Sequence, residues 1–322
     1  MTRQTKKRKF KFLTFLLLIV VLAFTYKSII AMNGKSWVKK IGDEGTGPVP
    51  SLTAASDSAV PLSIDNLHSP NAILVRLEDH AILMQKKSEQ KLYPASLTKI
   101  MTAIIAIENL PNLKEKIELP AAMFQPLYKA DASMAGFQPN EKVKAIDLLY
   151  GVMLPSGAEC CIGLADHIAG SEQNFVEKMN QKAAALGMSH THFTNSTGLQ
   201  DKQHYTTVKD LSILLSYALQ NNTFRDIFTT SHHSTAPTNK HPNGITFSST
   251  MFKNIENPVI NGGKILGGKT GFTDEAGLCL ASLAQKDGKE YVLVTAGANG
   301  NHESEQYNID DAYEVYNQLG KN

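Results

Sequence analysis

The sequence predicts a mixed α/β fold of the α+β kind, in which an antiparallel sheet drawn from both ends of the folded chain packs against a helical region. Three observations predict it. Two short apolar runs, residues 72–77 and 81–85, lie either side of Glu78-Asp79-His80 and read as paired strands. Two longer runs, residues 276–285 and 290–298, flank Asp287-Gly288, a dipeptide suited to the positive φ angles of a two-residue hairpin turn. Much of the chain between these pairs carries apolar residues at helical spacing. A site then belongs in the cleft between sheet and helices.

The first helix opens in Tyr93-Pro94-Ala95-Ser96-Leu97-Thr98-Lys99, where Pro94 ends the preceding structure and Leu97, Ile100, Met101, Ile104 and Ile105 repeat with the helical period. It is apolar nearly all round, which favours burial. Residues 145–153, 161–169 and 172–186 continue the helical middle, the last of these closed by Gly187. Residues 208–219 form another helix, with Thr207 as its cap and Asp210 in the first turn. Gly267-Gly268-Lys269-Thr270-Gly271-Phe272-Thr273 returns the chain to the sheet as a strand ahead of the hairpin, and a last helix covers residues 303–319.

With 322 residues, 42% hydrophobic and 19% charged, the chain can bury a sizeable core and is neither disordered nor collagen-like. A net charge of +2 gives no reason to expect a nucleic-acid partner. Cys160, Cys161 and Cys279 make neither a disulfide framework nor a metal-ligand spacing, and read as small buried apolar side chains. The 10 histidines include His190-Thr191-His192 and His232-His233 but no His-Glu-x-x-His, so they read as surface or loop residues, with His192 packing beside the Thr194-Asn195-Ser196 turn.

Basic residues gather at the amino end, where Arg3, Lys6, Lys7, Arg8, Lys9 and Lys11 precede an apolar run over residues 12–26. Residues 1–32 are therefore expected to be a cytoplasmic basic tail and an N-terminal membrane anchor, with the rest of the chain extracytoplasmic. The run is shorter than the roughly 20 residues of an ideal span, so a cleaved signal peptide is the alternative, although no small-x-small cleavage site follows it. Residues 33–69, rich in Gly, Ser, Pro, Asp and Thr, read as a flexible spacer. Some 37 such residues would have a root-mean-square reach of about 30–36 Å. Residues 70–322 form the folded domain.

The chemistry begins with Ser96 and Lys99, three residues apart and so on one helical face. A serine hydroxyl is a poor nucleophile at neutral pH, but an amine held neutral by burial or by a nearby cation can take its proton. A Ser-x-x-Lys tetrad alone arises by chance in many proteins. Its weight here comes from Lys269-Thr270-Gly271 downstream, a pairing found in acyl-serine enzymes.

Two further segments extend the pattern: residues 145–158, ending in Leu154-Pro155-Ser156-Gly157-Ala158, and residues 186–199, from Leu186-Gly187-Met188 to Phe193-Thr194-Asn195-Ser196-Thr197-Gly198-Leu199. With them, residues 71–297 resemble the low-molecular-mass penicillin-binding proteins that act as serine-type D-alanyl-D-alanine carboxypeptidases of peptidase family S11. The separations of 60 residues from Ser96 to Ser156 and 113 from Ser156 to Lys269 keep that family's motif order.

The resemblance implies a β-lactamase/transpeptidase-like fold, with residues 70–322 as the catalytic domain. It implies Ser96 as nucleophile, Lys99 as its base and Ser156 as the proton relay to the departing D-alanine. Lys269 and Thr270 would bind the substrate's terminal carboxylate, Gly271 would admit the substrate close to the strand, and the N–H groups of Ser96 and Phe272 would hold the oxyanion. No cofactor is needed. The implied partners are peptidoglycan stem peptides ending in D-Ala-D-Ala, with β-lactams as inhibitors, and the implied setting is either housekeeping wall trimming or glycopeptide resistance.

One motif departs from the family. Its middle element is usually Ser-x-Asn and here reads Ser156-Gly157-Ala158, which removes an amide that would contact both lysine and substrate. Two other readings compete. A β-lactamase would need a deacylating glutamate, and Glu159 and Glu172 lack the expected surroundings, so slow release of bound penicillin is expected. A membrane-anchored wall-binding or sensor module would be acylated by penicillin yet release no D-alanine.

Overall fold

Apolar runs from the two ends of the folded chain pair directly with one another in the computed structural model, which describes residues 48–54, 63–255 and 257–320. The chain enters through β1 (Thr53–Ala54), β2 (Asn71–Arg76) and β3 (Ala81–Lys86), then α1 (Lys99–Asn109) and β4 (Lys116–Glu118). The helical region follows as α2 (Phe124–Lys129), the short strand β5 (Lys142–Lys144), α3 (Ala145–Met153), α4 (Ala158–Ala169), α5 (Glu172–Ala185), α6 (Val208–Ala218) and α7 (Asn222–Thr229). A small hairpin, β6 (His232–Ser234) and β7 (Thr246–Ser248), leads to β8 (Val259–Ile260), β9 (Gly263–Gly271), β10 (Leu278–Lys286), β11 (Lys289–Ala298) and α8 (Tyr307–Gln318).

The main sheet has seven strands in the order β1-β3-β2-β11-β10-β9-β8. Its pairings are antiparallel as expected, except that β1 lies parallel to β3. In β2 and β11, Ile73 faces Val294 and Val75 faces Val292, and these four side chains belong to the core shared with the helical region. Ala72, Leu74 and Leu293 point the other way, into a second core closed by Ile309, Ala312, Val315 and Tyr316 of α8. Both faces are covered, so the strands read as continuous apolar runs. Helix α1 runs through the larger core with residues 99–106 all buried, and it carries Lys99 inward with them.

Two of the later helices start away from the expected residue. Helix α4 starts at Ala158 rather than residue 161; its cap, Gly157, offers no side-chain acceptor that would mark the start in sequence. Helix α8 starts at Tyr307 rather than residue 303, because Asn301 Oδ1 accepts the N–H groups of Glu303 and Ser304 at 2.8 and 3.0 Å and holds that stretch in a turn.

The expected spacer is not free where it is described. Thr53 donates its N–H to His80 O at 3.0 Å as β1 joins the sheet edge. Farther on, the N–H groups of His68 and Ser69 donate to the two oxygens of buried Asp311, each at 2.8 Å, and the His68 ring stacks on Tyr307 at 4.2 Å. Backbone donors on a buried carboxylate fix this segment to α8, so residues 48–54 and 63–69 belong to the folded unit. The expected tail and anchor and the first part of the spacer, residues 1–47, lie outside the described residues. Among the described residues no helix is long and apolar enough to cross a membrane.

Candidate active site

Ser96 stands in a 3-10 turn, Ala95–Thr98, that feeds into α1 at Lys99. The nucleophile candidate therefore precedes the α-helix instead of opening it. In a 3-10 turn residues three apart eclipse each other, which brings Lys99 Nζ to 3.1 Å from Ser96 Oγ. The turn is entered through Ala95 at φ +46°, and Ser156 sits at φ +66°, so two non-glycine residues in the left-handed region flank the site.

Lys99 is 2% exposed, and its Nζ also donates to Thr197 O at 2.5 Å. Burial drives its pKa below that of an ordinary lysine; Glu159 and the thiols of Cys160 and Cys161 act in the opposite direction. Lys269 arrives from β9, fully buried, and donates to Ser156 Oγ at 3.0 Å and Thr270 O at 2.8 Å. Its pKa lies well below normal, first from burial and then from repulsion by Lys99. The four expected side chains thus form two adjacent amine–hydroxyl pairs, close enough for the amines to repel.

A cleft of about 430 Å³ opens over this group. Ser96 and Lys99 contribute to its lining, together with residues 130–133 and Ala158 on one side and residues 197–200, Phe272 and His302 on others. Lys269 is held behind this surface, bonded to Ser156. Thr270 meets Thr250, Oγ1 to Oγ1 at 2.6 Å, and Phe272 packs edge-on against His302 with centroids 5.0 Å apart. A Cβ on Gly271 would lie 3.1 Å from Ser96 N, so a side chain there would press β9 and the nucleophile turn apart by a few tenths of an ångström.

The segment 194–198 does more than its place in the motif reveals. Asn195 Oδ1 accepts from Thr197 N, Thr197 Oγ1 and Gly198 N at 3.2, 3.0 and 2.7 Å, which aims the Thr197 carbonyl at Lys99. Glu172 Oε1 accepts from Ser196 N and Oγ at 2.9 and 2.7 Å, and Thr102 Oγ1 donates to Ser196 O at 2.6 Å. Glu172 is therefore a brace for this loop.

His204 was expected at the surface with the other histidines. It is 2% exposed and takes the place expected of His192: its Nδ1 accepts from Thr194 N at 3.0 Å, which makes Nε2 the donor to Thr98 Oγ1 at 2.8 Å. His192 instead turns its Nδ1 to Gln203 O at 2.8 Å. No local signal marks His204, because Thr98 lies 106 residues away. Burial lowers its pKa from 6.5 to about 4. Stability from this group is thus complete above pH 6.5 and lost as pH falls through 4. At pH 4.5 the loss relative to pH 7.5 is expected to be about 2–3 kcal/mol in urea unfolding. His204→Gln should flatten that dependence, and an identical dependence in wild type and variant would contradict it.

The three cysteines are buried free thiols, with Cys161 and Cys279 pushed up to about 12 by burial, in keeping with an apolar role. Ala158 turns its methyl to the cleft and donates its N–H to Ser133 O at 2.8 Å. Since open volume lies beside it, Ala158→Asn is expected to speed penicillin acylation by up to about 10²-fold, the upper worth of one hydrogen bond to a charged group. A slower and less stable variant in stopped-flow and thermal unfolding would show that the pocket has closed around alanine.

A hydroxyl beside a buried amine, backed by a second such pair next to an open cleft, is the arrangement found in hydrolases of the serine–lysine class. A model of the D-alanyl-D-alanine carboxypeptidase family, peptidase S11, matches residues 56–300. The D-alanyl-D-alanine carboxypeptidase DacF of Bacillus subtilis is 30% identical over 238 residues, 71% of this chain and 57% of that protein. The D-alanyl-D-alanine carboxypeptidase of Streptomyces sp. strain K15 is 32% identical over 218 residues, 65% of this chain and 74% of that protein. The crystal structure of the Streptomyces K15 DD-transpeptidase superposes with a TM-score of 0.70 at 27% identity, covering 80% of this chain and 98% of that one. The chain belongs to the D-alanyl-D-alanine carboxypeptidase family. It spans little more than half the length of the Bacillus relative.

Proposed function

We propose that this protein is a serine-type D-alanyl-D-alanine carboxypeptidase that removes the terminal D-alanine of peptidoglycan stem peptides through an acyl-enzyme on Ser96, and that β-lactams acylate the same oxygen. The observation that carries the reading is the buried Lys99 amine between Ser96 Oγ at 3.1 Å and Thr197 O at 2.5 Å. A neutral amine gives one N–H to the Thr197 carbonyl and turns its lone pair to Ser96, so the contact then runs from the serine O–H to Nζ.

Lys99 takes that proton as Oγ attacks the carbonyl between the two D-alanines. The N–H groups of Ser96 and Phe272 receive the oxyanion. Because Ser156 Oγ accepts from Lys269, its own proton is free for the leaving D-alanine nitrogen as the C–N bond breaks. The proton taken up by Lys99 then replaces the one Ser156 gave away, and the neutral amine deprotonates a water that attacks the ester carbonyl, the proton passing to Ser96 Oγ as the C–O bond breaks and the shortened peptide leaves as its carboxylate. Thr270 orients the terminal carboxylate by hydrogen bond, while Lys269, buried and with its pKa well below normal, acts from behind the strand as donor to Ser156. Glu172 is engaged with Ser196, which supports slow release of bound penicillin over β-lactamase turnover.

The test is D-alanine release from a peptide ending in D-alanyl-D-alanine, run beside penicillin adduct mass, on the full chain in detergent. Release together with a slowly decaying adduct is expected. An adduct without release would leave a binding module and overturn the reading.

The membrane setting rests on the basic and apolar amino terminus, which supports an anchor with the catalytic domain outside the cytoplasm. Protease added to intact spheroplasts should then degrade the domain, and full protection would contradict this. A part in glycopeptide resistance would follow from the same loss of D-alanyl-D-alanine ends, and gene deletion without change in susceptibility would exclude it.

A further inference from the structure

Glu159 follows Ala158 in the first turn of α4, is fully buried, and has no part in the reaction described above. Its Oε1 accepts the N–H groups of Ala135, Gly136 and Phe137 at 2.8, 2.9 and 3.3 Å. Its Oε2 has no hydrogen-bond partner among the described residues. A Cβ on Gly157 would lie 2.6 Å from Ala135 Cβ and 3.0 Å from Oε2, so segment and helix start meet across a residue with no side chain. The same segment carries residues 130–133 of the cleft lining, and Ser133 O accepts the N–H of Ala158 at 2.8 Å.

The electrostatic surroundings give this carboxylate a second effect. It acts on Lys99 of α1 and on the thiols of Cys160 and Cys161 on its own helix, and Glu141, ahead of β5, also acts on Cys160. Burial raises the Glu159 pKa while the three backbone N–H groups oppose the rise. Its charge offsets the burial that drives Lys99 toward the neutral form. An amine pushed too low becomes a weak base, so that offset bears on how well Lys99 can draw the proton from Ser96.

We propose that Glu159 is a positioning residue for acyl transfer: it staples the cleft wall to the start of α4 through three backbone N–H groups. This rests on the assignment of Ser96 and Lys99 above. The acceptor and the charge separate by substitution. Glu159→Gln keeps an oxygen for the N–H groups and removes the charge, Glu159→Ala removes both, and Glu159→Asp keeps the charge on a shorter stem.

The experiment measures kcat/KM and KM for D-alanine release, with penicillin acylation in parallel, from pH 6 to 9 on the full chain. The plateau KM of Glu159→Gln should stay within about twofold, while Glu159→Ala raises KM roughly tenfold as the wall loosens. A KM unmoved in Glu159→Ala overturns the proposal, as does a KM raised just as much in Glu159→Gln, which keeps the acceptor oxygen. If Glu159→Ala does not fold, Glu159→Asp decides it: the shorter stem draws the acceptor off the three N–H groups, so a wild-type KM there overturns the proposal. Wild-type protein that neither acylates nor releases D-alanine would instead bring down the parent reading.

Discussion

Ser96→Ala is expected to abolish covalent labelling by penicillin and to lower D-alanine release by at least about 10³-fold, because the oxygen beside the buried Lys99 amine is removed. Peptide mapping of labelled wild-type protein should put the adduct on the peptide holding Ser96; label that survives in the variant would sink the assignment. Lys99→Met should be nearly as severe. The methionine keeps the stem's volume inside the core, so folding should persist while Ser96 loses its base and Thr197 O its donor. Normal acylation in Lys99→Met would mean that another group takes the proton.

The second large effect lies away from the reacting atoms. Gly198 has φ +81°, and a Cβ there would lie 2.0 Å from Ala95 O and 3.0 Å from Ser96 N. Both obstacles are backbone, so no side chain can swing aside. Gly198→Ala must separate the loop that aims Thr197 O from the turn that presents Ser96, and a displacement near 1 Å at reacting groups can cost about 10²-fold. We expect penicillin acylation to fall by roughly that factor, with a stability loss of about 2–3 kcal/mol from clash and strain. Wild-type acylation with an unchanged urea midpoint would show that the two segments are not mutually braced.

These two substitutions also mark how far the sequence could be read. Ser96 and Lys99 were legible because their relation is local: three residues apart, on a segment whose period is plain. The hairpin was legible for the same reason, Asp287 and Gly288 adopting φ +48° and +76° as that dipeptide favours. The Thr197 carbonyl was not, since a backbone oxygen carries no residue identity and its aim depends on Asn195. His204 and Glu159 escaped for a related reason. One answers to a threonine far earlier in the chain, the other to three backbone N–H groups from another segment. The bound stretch at residues 63–69 looked free because its partner, Asp311, lies some 240 residues later.

The pairing of β2 with β11 has a consequence for how the chain comes to be folded. Residues 71–76 sit beside 291–296, so the middle of the sheet cannot close until nearly the whole chain has been synthesised. Loop closure over more than 200 residues is slow compared with helix formation, and apolar strands without partners bind chaperones and one another in the interval. In the extracytoplasmic setting proposed above, that delay would be an advantage, because a domain that has not yet closed is still an extended chain.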